Sequence, residues 1–411
     1  MSMFLIITIL VVLTACFAFL NIRYLKLPET IGMMIISLIF SMLLITAGLL
    51  FPEVSMYARR FVGSIDFTTV LLDVMLSFLL FAGALHTDIS LLKANKSSIT
   101  VFAVAGVVLS TVFVGSLIYF FFHFFLEPIN FWYCLIFGAL VAPTDPIAVL
   151  GILTKAGAPR NVEIKIVGES LFNDGIGVVL FLSLLEIVAI GVQHISFGDI
   201  AVLIVQEIGG GLLFGWLLGQ LGYRLMKKID HYQTEILITL AMVMGGYMLC
   251  QYLHLSGPLA MVVAGIFTGS RSKARAMSDT TALYIDKFWE LVDVLMNAIL
   301  FVLIGLEILT LQFNVNYLVA GLVAIPIMLL SRYYSLLIPA SVFKKYIHIN
   351  RKIIRLMTWG GLKGGLSIAM ALSLTAPLPK TQFVFMIYVV VIFSIIVQGL
   401  TVGKMVRKVF A

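Results

Sequence analysis

An otherwise apolar stretch of this chain contains two acids, an amide and a hydroxyl within one segment of six residues. The segment 168–175 reads Gly-Glu-Ser-Leu-Phe-Asn-Asp-Gly, and the apolar run around it is long enough to cross a bilayer. On an α-helix, Ser170 and Asp174 share one face. Glu169 and Asn173 share a neighbouring face. Because ionisable groups at such depth are costly, we expect one face to hold an ion and the other to anchor the helix.

The elements that carry these side chains must lie in a membrane. Hydrophobic residues make up 61% of the 411 positions and charged residues 11%, which excludes an ordinary soluble domain. We therefore predict an all-α polytopic membrane protein in which residues 1–411 form a single membrane domain. Apolar runs predict about thirteen transmembrane helices, at 3–22, 30–51, 66–86, 98–126, 131–153, 163–191, 198–223, 234–253, 256–270, 286–312, 316–343, 353–376 and 381–403.

Basic residues are distributed unevenly between the two sides of these predicted spans. Of the 27 Lys and Arg residues, about 22 fall in loops on one side, and Arg59, Arg60 and Lys380 fall on the other. The positive-inside rule makes the basic side cytoplasmic, with the N-terminus outside and the C-terminus inside. The net charge of +7 therefore reflects the topology of the chain in a lipid bilayer and does not indicate a nucleic-acid partner. Arg332 and Lys363 lie within predicted spans, which makes them candidates for function.

The fifth predicted span is interrupted by prolines. Residues 142–146 read Ala-Pro-Thr-Asp-Pro. Pro146 removes an amide donor and disfavours the helical conformation of Asp145, and Pro143 acts in the same way on the residue before it. We expect an unwound stretch that carries Thr144 and Asp145 and leaves backbone carbonyls free to bind a cation. Such backbone survives at this depth only within protein or around a water-filled cavity.

The twelfth predicted span carries four glycines around one lysine. Residues 359–367 read Trp-Gly-Gly-Leu-Lys-Gly-Gly-Leu-Ser, and glycines weaken a helix or serve close helix packing. We interpret residues 1–191 and 234–411 as six-helix repeats joined by a linker helix at 198–228, so that the fifth span corresponds to the twelfth. The odd offset makes the repeats inverted. Paired interruptions in inverted repeats predict two crossed helices at the binding site of a transporter.

Together, these motifs resemble those of the monovalent cation/proton antiporters. The resemblance is closest to the NhaP-type sodium/proton antiporter branch, which is related to the animal sodium/proton exchangers, and it runs nearly the length of the chain. The motifs that carry it lie at 142–146, 169–175, 288–290, 305–307 and 361–365.

The resemblance implies an ion site built from oxygen ligands. Asp174 would bind either a Na⁺-like ion or a proton, and Asp145, Thr144 and Ser170 would supply further ligands for Na⁺. Hard cations favour such an oxygen shell. One departure affects this shell, because many relatives have an acid in the third span where this chain has Ala82. Asp73 lies about 180° away on that helix and is a poor replacement, so the choice among Na⁺, Li⁺ and K⁺ stays open.

The resemblance also implies structural and charge partners around the site. Glu169 would pair with Arg332. The cost of an unpaired arginine at this depth supports a partner for Arg332 independently of the resemblance. Asn173 would hold the two interrupted helices in register. Lys363 stands where the family usually has arginine, so it keeps the charge and loses the planar fork. We interpret Lys363 as an electrostatic and structural partner of the site, with proton transfer as an alternative role.

The activity that the resemblance implies is secondary active transport and not enzymatic catalysis. The protein would exchange Na⁺ or Li⁺ for H⁺ without a cofactor, in electroneutral 1:1 fashion, by alternating access with competition at Asp174. We expect a homodimer in a bacterial or archaeal cell (inner) membrane. A K⁺/H⁺ antiporter and a cation channel are the alternatives. A membrane-embedded protease is disfavoured, because the chain lacks the required aspartate, metal-binding and nucleophile motifs.

Overall fold

A computed structural model describes residues 2–191, 197–273, 276–345, 347 and 349–410. Every regular element in these ranges is helical. The α-helices are α1 Met3–Leu20, α2 Glu29–Leu50, α3 Pro52–Gly63, α4 Leu76–Leu85, α5 Ile89–Ala94, α6 Lys96–Phe125, α7 Phe131–Val141, α8 Pro146–Lys155, α9 Arg160–Ile190, α10 Phe197–Met226, α11 Tyr232–Tyr252, α12 Gly257–Phe267, α13 Asp279–Glu307, α14 Val315–Val342, α15 Arg351–Gly360, α16 Gly365–Leu372, α17 Lys380–Phe393 and α18 Gly399–Phe410.

Short π-helical segments extend or join four of the transmembrane passes. They lie at Asn21–Leu25, Thr69–Met75, Thr268–Ser272 and Ser394–Gln398. The second segment precedes α4, and the fourth joins α17 to α18. These wider turns occur often at functional sites.

Within the described ranges, nine helices are long and apolar enough to cross a membrane. Shorter apolar helices at Thr69–Leu85, Phe131–Val141 and Gly257–Ser270, together with α15 and α16, account for the other predicted spans. The prediction of an all-α protein with about thirteen transmembrane helices is therefore confirmed. The repeat boundaries and the linker role of α10 stay predictions.

Some helices differ from the sequence prediction, and α3 and α13 are examples. The loop predicted after residue 51 contains α3, which begins with proline at its first turn and is too short and polar to be recognised as a span. Helix α13 begins at Asp279 and not at 286, because Ser278 caps it by accepting a hydrogen bond from the Thr281 amide. Polar turns thus continue this helix beyond its apolar run.

Helix α9, which carries the two acids, lies in the interior of the bundle. It packs against α6, α7, α8 and α12, and most of its length is buried. Helices α6 and α7 approach closely, because a Cβ at Gly138 would overlap the backbone carbonyl of Thr111. Small residues allow such backbone contact between helices in membranes. Helix α7, which leads into the first interruption, also packs against α9.

The two interrupted helices meet at their breaks. Helix α7 ends at Val141 and α8 begins at Pro146, as the two prolines predict. Helix α15 ends at Gly360 and α16 begins at Gly365. The Asp145 amide of the first break donates a hydrogen bond to the Leu362 carbonyl of the second, at 2.8 Å. Two extended segments therefore cross inside the protein.

Candidate ion-binding site

Helix α9 presents four polar side chains to the crossing point. Asp174 is 7% exposed, and Glu169, Ser170 and Asn173 are more deeply buried. The Asn173 side chain donates a hydrogen bond from Nδ2 to Glu169 Oε1 at 2.8 Å, as expected for residues one turn apart. This bond lies within the face that Glu169 and Asn173 share.

Thr144 connects the first break to α9 through its backbone and its hydroxyl. Its amide donates to Asn173 Oδ1 at 3.2 Å, and its Oγ1 accepts from Asn173 Nδ2 at 2.8 Å. Ser170 Oγ lies 2.9 Å from Thr144 Oγ1 and donates to the Thr144 carbonyl. Side chains of α9 thus satisfy backbone groups that the interruption would otherwise leave unpaired. Asn173 was expected to hold both interrupted helices in register, and its hydrogen bonds to Thr144 reach the first break. The hydrogen bonds between the two breaks come from Lys363 and from the Asp145 amide.

Glu169 forms a buried ion pair with Arg332 of α14. Arg332 donates from Nη1 to Oε1 at 2.9 Å and from Nη2 to Oε2 at 2.7 Å. The two side chains are 1% and 2% exposed, respectively. This bidentate geometry is the strong form of the interaction, and it compensates two charges that would otherwise be costly to bury. The structure therefore brings together the pair that the sequence predicted.

Lys363 joins the second break to the end of α7. Its ammonium group donates to the carbonyls of Ala142 and Pro143, at 3.0 and 2.9 Å. Its backbone amide donates to Ser394 Oγ at 2.7 Å. The prediction that the carbonyls of the first break are free for a cation is wrong for these two, because the chain supplies its own cation. A positive charge there also complements the negative end of the α7 dipole.

Glycine allows the second break to approach Asp145. A Cβ at Gly364 would lie 2.7 Å from Asp145 Oδ2, closer than side-chain atoms normally approach. The backbone of Gly364 therefore packs directly against the carboxylate side chain. This contact and the Asp145 amide bond place the carboxylate at the crossing of the two breaks.

A cavity of about 60 Å³, called the ion cavity below, lies at this crossing. Three of the four predicted ion ligands line it, namely Asp174, Asp145 and Thr144. Ser170 is not among the lining residues, and its hydroxyl bonds to Thr144 instead. Much of the wall is apolar and comes from α4 and the π-helical segment Thr69–Met75. The site therefore places two carboxylates in a small, mostly apolar space.

The third predicted span supplies no carboxylate to this cavity. Gly83 lines it, whereas the adjacent Ala82 is fully buried. Asp73 accepts a hydrogen bond from Gln251 Nε2 at 2.7 Å and does not line the cavity. Asp73 is therefore no substitute for an acid at position 82.

A larger cavity of about 450 Å³ shares one lining residue, Asn297, with the cavity at the crossing. Lys155, Lys404 and Arg407 line the larger cavity, so it lies on the side that the sequence predicts to be cytoplasmic. Asp293 lines its wall as well. Asn297 lines both cavities and donates from Nδ2 to Asp293 Oδ1 at 3.1 Å. Asn297 was not predicted as a site residue, because a lone amide on an apolar helix is more often a packing residue.

Crossed broken helices and buried acids at a central cavity define the class of secondary transporters with a binding site at mid-membrane. The family model described as sodium/hydrogen exchanger, transmembrane, matches residues 8–408, and the chain belongs to this family. The family resemblance that the sequence motifs predicted is confirmed.

Individual relatives extend this comparison. The Na⁺/H⁺ antiporter NhaP of Pseudomonas aeruginosa is 44% identical over 408 residues, which cover 98% of this chain and 96% of the relative. The Na⁺/H⁺ exchanger beta of Oncorhynchus mykiss is 26% identical over 76% of this chain and 42% of its own length. The solved structure of the sodium proton antiporter MjNhaP1 from Methanocaldococcus jannaschii matches with a TM-score of 0.76, at 19% identity and with both chains fully covered. This last match shows the shared fold.

Proposed function

We propose that this protein exchanges Na⁺ or Li⁺ for H⁺ across a cell membrane and that the two compete for Asp174. One observation carries the proposal: Asp174 and Asp145 line the same small cavity where the two broken helices cross. Asp145 and Thr144 provide further oxygen ligands, and Ser170 acts by holding Thr144 in place. This set suits a hard monovalent cation. The names of the relatives support the same exchange.

Competition at one carboxylate produces coupled exchange. Asp174 carries either the cation or a proton, and only the two loaded states allow the site to change sides. Each cycle then moves one positive charge in each direction, so exchange is electroneutral. Position 82 holds alanine where many relatives have an acid, and this supports the exchange of one cation for one proton. A further obligatory carboxylate would add a second titrating charge.

The larger cavity supports a route for the cation on the predicted cytoplasmic side. Asp293 attracts cations into it, and Asn297 separates it from the ion cavity. In the opposite state, movement of one helix bundle against the other would close this route and open one on the far side. We further propose that the protein works as a homodimer in the inner membrane, with its C-terminus in the cytoplasm.

Proton flux in reconstituted vesicles tests this function. Vesicles loaded with a pH-sensitive dye should respond to pulses of Na⁺ or Li⁺. Asp174→Asn should abolish the response, because an amide cannot exchange a cation for a proton. Asp73→Asn provides a matched control, since that acid lies on a transmembrane helix and does not line the ion cavity. Sodium-driven proton flux in the Asp174→Asn variant would contradict the assignment.

The same vesicles distinguish the remaining alternatives. A pulse of K⁺ that matches the Na⁺ response would make the protein a K⁺/H⁺ antiporter, an option that the missing third-span acid leaves open. Current carried by the cation without an opposing proton gradient would make it a channel. Electroneutral exchange predicts no change in rate when a membrane potential is imposed.

A further inference from the structure

Ser367 is a buried hydroxyl that the ion site does not yet include. It lies in the first turn of α16, directly after the second break, and is 1% exposed. Its Oγ has no hydrogen-bond partner among the described residues. Buried polar groups are nearly always paired, so an unpaired hydroxyl requires an explanation.

The position of Ser367 relates it to the acids. It lines the same 60 Å³ cavity as Asp174 and Asp145. It follows Gly364 by three residues, and Gly364 packs against the Asp145 side chain. Residues three apart lie on the same side of a helix. The hydroxyl therefore belongs to the face of α16 that borders the acids.

We propose that Ser367 Oγ is a direct ligand of the transported cation. This inference rests on the proposed function. Ser170 is occupied with Thr144, and the third span contributes no oxygen side chain, so the shell needs oxygen from another wall. Ser367 supplies it as a neutral group. The charge balance of one cation for one proton is thereby unchanged, whereas a carboxylate in its place would alter it.

Ser183 provides a matched control within the same membrane domain. It is also buried, and its Oγ also lacks a partner among the described residues. It lies on α9, the helix of Asp174, and does not line the ion cavity. Loss of a hydroxyl at Ser183 therefore tests the effect of removing an unpaired buried group away from the ion.

Transport kinetics and thermal shifts together test the proposal. In vesicles, Ser367→Ala should raise the KM for Na⁺ about tenfold with little change in kcat, as expected for about 1.4 kcal/mol of lost binding. Ser367→Thr retains the hydroxyl and should keep KM within about twofold. Ser183→Ala should match the wild type. In detergent, Na⁺ should raise the Tm of Ser367→Ala less than that of the wild type, because bound cation stabilises the folded state.

The outcomes separate a ligand from a packing residue. A ligand predicts an unchanged Tm of Ser367→Ala without cation, whereas a packing role predicts a lower Tm and an unchanged KM. A wild-type KM and a wild-type Na⁺ shift in this variant would overturn the proposal and leave the antiport function intact. If the wild type shows no exchange, the Na⁺-induced Tm shift alone decides whether Ser367 binds cations. If Ser367→Ala does not fold, Ser367→Cys replaces the hard oxygen with sulfur at similar volume and should raise KM as well.

Discussion

The ammonium nitrogen of Lys363 lies 2.9 Å from the Pro143 carbonyl oxygen and 3.0 Å from that of Ala142. A lysine of one broken helix thus binds the end of the other. This contact spans more than 200 positions of sequence and stabilises the crossing that forms the ion cavity. These contacts support the predicted role of Lys363 as a structural partner of the site, because its ammonium group donates to backbone carbonyls.

Removal of this ammonium group should destabilise the fold. Lys363→Met leaves two buried carbonyls without their donor and should lower the free energy of unfolding by about 3 kcal/mol. The Tm in detergent measures the effect. Lys287→Met is the control, because Lys287 forms an exposed pair with Glu290, and such pairs contribute at most about 1 kcal/mol. Equal Tm values for the two variants would contradict the structural role of Lys363.

The Glu169 and Arg332 ion pair should show strong energetic coupling. Glu169→Gln or Arg332→Met alone leaves a buried charge unpaired and should cost about 3–5 kcal/mol of stability. The double variant removes both charges and should be more stable than the sum of the single effects predicts, by about 2 kcal/mol or more. Thermal unfolding of the four proteins measures this coupling. Additive losses would show that the two side chains act independently.

Asn173 should control the shape of the first break. Asn173→Ala removes the hydrogen bonds to the amide and hydroxyl of Thr144, so the exchange rate should fall at least about tenfold, the effect of about 1.4 kcal/mol. Dye-monitored proton flux measures the rate. Asn161→Ala tests the same substitution near the exposed start of α9, where it should have little effect. Full activity of Asn173→Ala would show that the hydrogen bonds from Asn173 to Thr144 are not required for exchange.

Asn297 should govern passage between the two cavities. Asn297→Leu replaces a polar side chain that lines both cavities with an apolar one, so kcat for exchange should fall about tenfold, the effect of about 1.4 kcal/mol on a barrier. The Na⁺-induced Tm shift should persist, because the acids remain. Val294→Leu is the control, since Val294 lines only the larger cavity. A normal kcat in the Asn297→Leu variant would place the route elsewhere.

Competition at Asp174 predicts how pH affects transport. Where protons occupy the carboxylate, each unit decrease in pH should raise the KM for Na⁺ about tenfold, because one proton must leave for each cation bound. The maximal rate at saturating Na⁺ should remain constant over that range. Initial rates of proton flux at several pH values measure both quantities. A KM that does not depend on pH would exclude a shared site.

The elements of this protein could largely be predicted from local sequence. Apolar runs predict the spans, and the prolines around Asp145 predict the first break, because ring geometry acts on neighbouring residues. The helix start at Asp279 was missed, since its first turns are polar and hydropathy detects only the apolar part. The cost of burying charge also indicated a partner for Arg332 without any structure, and the family resemblance identified Glu169 as that partner.

The amino-acid sequence alone therefore determined the family, the helical class and the residues that are too polar for their surroundings. Only the tertiary structure decided which of these residues meet. Lys363 binds carbonyls that were expected to be free. Ser170 forms a hydrogen bond with Thr144 and does not line the ion cavity, whereas Ser367 does line that cavity. The physical reason is that periodicity specifies the face of one helix, whereas a binding cavity depends on how several helices pack.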